Sequence, residues 1–155
     1  MWNAFQQYSA LDPEARKLFR RAATLLPLIV ISLRFRGFSK TKERLQAKSD
    51  AAAPPEITRE RAAETLERTC RMVEAASRHG AVRATCLEES LALWYLLKKQ
   101  GVMANLRIGV RKPEGKFEAH AWVEYDGAAL SRSEQLHRHY AAFDSEFSEL
   151  PGKRS

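Results

Sequence analysis

Apolar and polar positions alternate with two different periods along the chain, and the change of period divides it. From Asp12-Pro13-Glu14 onward, Leu18, Ala22, Leu25 and Leu26 recur at helical spacing. Aspartate before proline, with an acid in the first turn, starts a helix, because the carboxylate accepts from free backbone N–H groups and proline lacks the N–H that would go unpaired there. Pro27 should break or kink the run, which resumes over Leu28 to Phe35 and ends near Gly37. Thr58 can cap a long helix with Ala63, Leu66, Cys70, Val73 and Ser77 on its inner stripe. A further helix is expected from about Cys86 to Gln100, closed by Gly101.

Beyond Gly101 the period becomes two. Leu106, Ile108 and Val110 alternate with polar or small residues. After the turn-forming Lys112-Pro113-Glu114-Gly115-Lys116, Phe117, Ala119, Ala121, Val123 and Tyr125 alternate with Glu118, His120, Trp122 and Glu124. This predicts an antiparallel hairpin. Asp126-Gly127 is a two-residue turn leading into a third short strand over Ala128 to Ser131, and a short helix is expected around 134–143. The fold class is α+β, helices packed on a small antiparallel sheet. Consecutive prolines Pro54-Pro55 mark a linker, residues 50–56, between a basic helical N-terminal arm, residues 1–49, and a compact unit, residues 57–155.

A chain of 155 residues with 45% hydrophobic residues is sized for one core. No stretch reaches the roughly 20 apolar residues of a membrane span, and the start lacks the pattern of a secretory signal, so a cytoplasmic location is expected. In that reducing compartment the two cysteines are expected to stay free. Charge is uneven: residues 1–50 hold ten Lys and Arg against four Asp and Glu, a net +6 of the total +7. Such a face either docks something acidic or is simply solvated, and an apolar, basic arm can also contact a membrane surface. No aromatic-interleaved basic motif supports nucleic-acid binding, and neither metal-ligand spacing nor a phosphate-cradling glycine loop is present, so no cofactor is expected.

Cys86 follows Thr85, a good N-cap, which sets the sulfur in the first turn of a helix. Backbone N–H groups and the helix dipole stabilise a thiolate there, and a thiolate is a nucleophile in need of an imidazole. Cys70, on a buried stripe, reads as a small hydrophobe with an inert thiol. Among the histidines, His79 caps the C-terminal end of its helix, and His137 and His139 read as surface residues. His120 lies in mid-strand between alanines, where a helix terminus can approach closely. Taken alone it has a structural reading; paired with Cys86 it has a chemical one.

Thr85-Cys86-Leu87-Glu88-Glu89-Ser90-Leu91-Ala92-Leu93, the strand Leu106-Arg107-Ile108-Gly109-Val110-Arg111 and above all Phe117-Glu118-Ala119-His120-Ala121-Trp122-Val123-Glu124 resemble one family. They look like the transglutaminase-like (papain-like) cysteine peptidases of lasso-peptide biosynthesis, which remove the leader from a ribosomally made precursor. The resemblance covers roughly residues 60–130. It implies Cys86 as nucleophile and His120 as base and then acid, acting on a lasso precursor peptide with a separate leader-recognition protein and a macrolactam cyclase. The family's orienting acid follows the histidine by about a dozen positions, which here falls on Arg132, a residue that cannot accept the imidazole N–H. Glu134 is the nearest acid and the expected third residue. Glu124 shares a strand face with His120 but sits about 13 Å along it, at a rise of roughly 3.3 Å per residue. Two alternatives stay open: an amine acyltransferase with the same acyl-enzyme, and a noncatalytic scaffold, which the Arg132 departure favours.

Overall fold

The structure, a computed structural model, describes residues 2–52, 54–130 and 141–142. A short helix α1 (Trp2–Ser9) precedes α2 (Pro13–Asp50), which begins as the sequence requires. The Asp12 side chain accepts from the Ala15 N–H at 2.9 Å, and this bond holds its carboxyl below the usual range. Pro27 is carried inside α2 without a departure from helical dihedrals, and the turn comes at Gly37 (φ 77°, ψ 178°). The expected break at Pro27 is thus displaced. Leu26 and Ile29 on either side are buried in the core and hold the helix across the proline, whereas Gly37 takes a backbone conformation that side chains disfavour.

Two helical limbs therefore meet at Gly37. The second runs on to Asp50 and buries Phe38, Thr41, Leu45 and Ser49 at helical spacing. Its inner face is half polar, which is why apolar periodicity alone ends near Gly37. Thr41 makes that polarity tolerable: its hydroxyl donates to Gly37 C=O at 2.7 Å and shares a 2.8 Å bond with the Ser32 hydroxyl on the first limb. At the far end Lys98 contacts the Asp50 carboxylate at 2.7 Å, and this partner holds Asp50 below the usual range.

Helix α3 (Arg59–His79) starts after Thr58, and α4 (Cys86–Lys98) after Thr85. Helices α2, α3 and α4 pack on one another, and residues of all three share one hydrophobic cluster with Val102 and Val123. Helix α2 is a layer of this core. The buried stripe of α3 is Ala62, Leu66, Thr69, Val73 and Ala76, joined by Met72 and Ser77. It is rotated from the expected stripe, leaving Ala63 exposed and Cys70 half-buried. Thr69 can face inward because its hydroxyl donates to Thr65 C=O at 2.6 Å and accepts from the Gln100 side chain at 3.0 Å.

The linker closes back on the end of α4. Ile57 N–H donates to Gly101 C=O at 3.1 Å, and a Cβ at Gly101 (φ 79°) would sit 2.5 Å from Pro55 C=O. Gly101→Ala is expected to cost about 1–3 kcal/mol through a left-handed backbone and a clash with main chain that cannot swing aside. A thermal melt unchanged from wild type would contradict this.

Strands β1 (Asn105–Arg111) and β2 (Glu118–Tyr125) form the expected hairpin around a 3-10 turn at Pro113–Gly115. Asp126 and Gly127 take the positive φ values of a tight turn into β3 (Ala128–Ala129), shorter than expected. A fourth strand, β4 (Ala141–Ala142), pairs antiparallel with β1, giving the order β3-β2-β1-β4. The helix expected around 134–143 is corrected at its end, where the backbone satisfies the open edge of β1 instead; its other residues lie outside those described. Ala121, Trp122 and Val123 are all buried, so both faces of β2 are covered at its centre. The architecture is α+β. Among the described residues no helix is long and apolar enough to cross a membrane.

Candidate active site

Helix α4 brings its first residue to the site by a local code. The Thr85 N–H donates to the Glu88 carboxylate, which closes the first turn on itself and leaves Cys86 at its start. Glu89, next along, accepts from the Ser77 hydroxyl of α3. Both first-turn acids are thus engaged in building the helix start and its contact with α3. Cys86 is half-buried, and both Cys70 and Cys86 are free.

His120 comes from β2. Its ring stacks on the buried Trp122 two residues on, centroids 5.9 Å apart and planes 20° from parallel. Trp122 is fixed in turn, its indole N–H donating to Glu124 at 2.9 Å, while Arg107 on β1 holds the other Glu124 oxygen at 3.0 Å. Glu124 is therefore committed to Trp122 and Arg107. Across the sheet His120 is paired with Gly109, so the strand neighbour adds no side chain beside the imidazole. A glycine in mid-strand is a recognised sign of close approach, and it is the signal through which sequence reasoning could have found this position.

Cys86 and His120 line one pocket of about 580 Å³. Its walls are α3 (Leu66, Cys70, Val73), the start of α4 (Cys86, Glu89, Ser90, Leu93) and the centre of β2. The buried Ser90 hydroxyl donates to Ala121 C=O at 3.0 Å, tying the second turn of α4 to the residue after His120. That bond spans the two elements carrying the thiol and the imidazole, and Ser90 is a positioning residue that sequence reasoning missed. The packing of α3 also brings Cys70 to the pocket, which its periodicity does not reveal.

Glu134, with Arg132, His137 and His139, lies outside the described residues. Asp126, a further acid close to His120 in the chain, is exposed at the β2–β3 turn and pairs with Arg59 rather than with the imidazole. His79 sits exposed in the last turn of α3, beside Gly80. Among the described residues no group of three or more His, Cys, Asp or Glu is placed to hold a metal ion.

The two cysteines differ in environment. Burial, helped by the Glu74 charge, pushes the Cys70 thiol up to about 11, so it is protonated at neutral pH. Iodoacetamide at neutral pH is expected to modify Cys86 well before Cys70, read by peptide mass mapping; equal or faster labelling of Cys70 would contradict the assignment.

A model of the transglutaminase-like superfamily matches residues 14–144, a span that runs from the first turn of α2 through β4 and includes both Cys86 and His120. The chain belongs to that superfamily, which generally comprises cysteine peptidases and transglutaminases. Neither the curated proteins nor the solved structures contain a significant match.

Proposed function

We propose that this chain is a cysteine peptidase that removes the leader from a ribosomally synthesised lasso-peptide precursor. The observation carrying the reading is that Cys86, at a helix N-terminus, and His120, in mid-strand, line the same pocket in a chain of the transglutaminase-like superfamily. The substrate class rests on the resemblance of residues 60–130 to the leader peptidases of that biosynthesis.

The Cys86 thiolate attacks the carbonyl carbon of the last leader residue, and the carbonyl π pair moves onto oxygen. Backbone N–H groups of the first turn of α4, which lack intrahelical partners, stabilise the oxyanion. The oxyanion collapses, the C–N bond breaks, and the His120 imidazolium gives its proton to the departing amine of the core peptide. Water, deprotonated by His120, then attacks the thioester, releasing the leader as a carboxylic acid and regenerating the thiolate and imidazolium. Trp122 holds the ring by stacking, and Glu134 is the residue assigned to orient it. The reaction is cytoplasmic, with a separate protein presenting the leader and a macrolactam cyclase using the amine that is released.

The test is the intact mass of a lasso precursor incubated with this chain and its recognition partner, with and without a small primary amine. Leader ending in a free carboxylate supports the peptidase. Leader carrying the amine in preference to water would assign an acyltransferase, and no conversion with the partner present would favour a scaffold.

A further inference from the structure

The bend at Gly37 does more than redirect α2. Because the second limb folds back beside the first, the two, with Tyr95 of α4, line a groove of about 530 Å³ that is distinct from the pocket that holds Cys86. One wall is apolar and open to solvent: Leu28, Ile31 and Phe35 stand 62%, 54% and 79% exposed at helical spacing on the first limb. Its floor is anchored by the buried Ile29, Thr41 and Leu45. The rim carries Arg36 from the first limb and Arg44 and Lys48 from the second, and no acid lines the groove. Three large exposed apolar side chains on one stripe are more than scattered surface hydrophobes, since packing that stripe against a partner is what removes them from water.

We propose that this groove docks an acidic amphipathic segment of a partner protein. The shape favours a rod laid between two helical walls, whose apolar stripe meets Leu28, Ile31 and Phe35 while its carboxylates meet Arg36, Arg44 and Lys48. A flat lipid surface would reach the rim cations and Phe35 but leave the concave interior unfilled. Three of the ten Lys and Arg of residues 1–50 line this groove, which gives part of the surplus positive charge a local use where an acidic partner would approach. The docking is independent of the chemistry at Cys86.

The test uses the full chain, immobilised, and phage-displayed random peptides of about 15 residues, enough for four helical turns. The selected peptides are expected to be rich in Asp and Glu, with Leu, Ile or Phe at helical spacing. Binding of a synthetic selected peptide should weaken at least about tenfold in Phe35→Asp and in the double variant Arg44→Glu, Lys48→Glu, should fall with added salt, and should be unchanged in Cys86→Ala. Phe35, Arg44 and Lys48 are exposed, so these variants should keep the wild-type melt, which is recorded alongside. Failure to select binders, absence of acidic enrichment, or binding indifferent to both variants would overturn the proposal. So would association with vesicles of phosphatidylcholine and phosphatidylglycerol in equal parts that is lost in the same variants while no peptide binds, which would assign the surface to a membrane.

Discussion

Cys86→Ala is expected to lower leader release by about 10⁴-fold or more, and His120→Ala by a comparable factor, because in the proposed mechanism they act as one unit, nucleophile and base. For the same reason the double variant should be little worse than either single one. Cys70→Ala is the control. Its thiol lines the same pocket but is held protonated by burial, so its loss should leave most of the activity in place. If instead Cys70→Ala abolished release and Cys86→Ala did not, the nucleophile would lie on α3.

The second large effect is structural and reaches the site through the sheet. Trp122→Ala removes a buried indole that stacks on His120 and holds Glu124. It should cost about 3–5 kcal/mol, lowering the melting temperature by roughly 10 °C in a chain of this size. Trp122→Phe separates the two roles. It keeps a ring against the imidazole but loses the indole N–H, so it should recover most of the stability while Glu124 keeps only its Arg107 partner. A Phe variant as unstable as the Ala variant would mean that the bond to Glu124, rather than the packing, holds this strand.

The elements legible in the sequence are those written in local code. Asp12-Pro13 starts α2, Thr85 with Glu88 starts α4, and Asp126-Gly127 turns β2 into β3, each decided by a few adjacent residues. The register of the β1–β2 hairpin follows from period-two alternation and the intervening turn. Features decided by packing were not legible. The second limb of α2 buries Thr41 and Ser49 beside two hydrophobes, and only the bonds made by Thr41 and Ser49 show why such a face can be buried. The rotated stripe of α3 likewise depends on Gln100 meeting Thr69 from a distant part of the chain. The pairing of Ala141–Ala142 with β1 is a long-range contact that two alanines cannot announce.

The candidate site divides in the same way. Cys86 and His120 each stand out from the element that carries it, a helix start and a mid-strand position. Their meeting in one pocket depends on α4 lying against β2, fastened by Ser90 to Ala121 C=O. Gly109 opposite His120 is a consequence of register, and Cys70 enters the pocket only through the way α3 is turned.

The most direct measurement is the intact mass of the protein itself, acid-quenched during turnover of a lasso precursor in the presence of the recognition partner. An adduct equal to the leader acid minus water is expected, located by peptide mapping on Cys86 and absent from Cys86→Ala. Leader release that continues in Cys86→Ala, with no adduct on Cys86 in the wild-type chain, would contradict it.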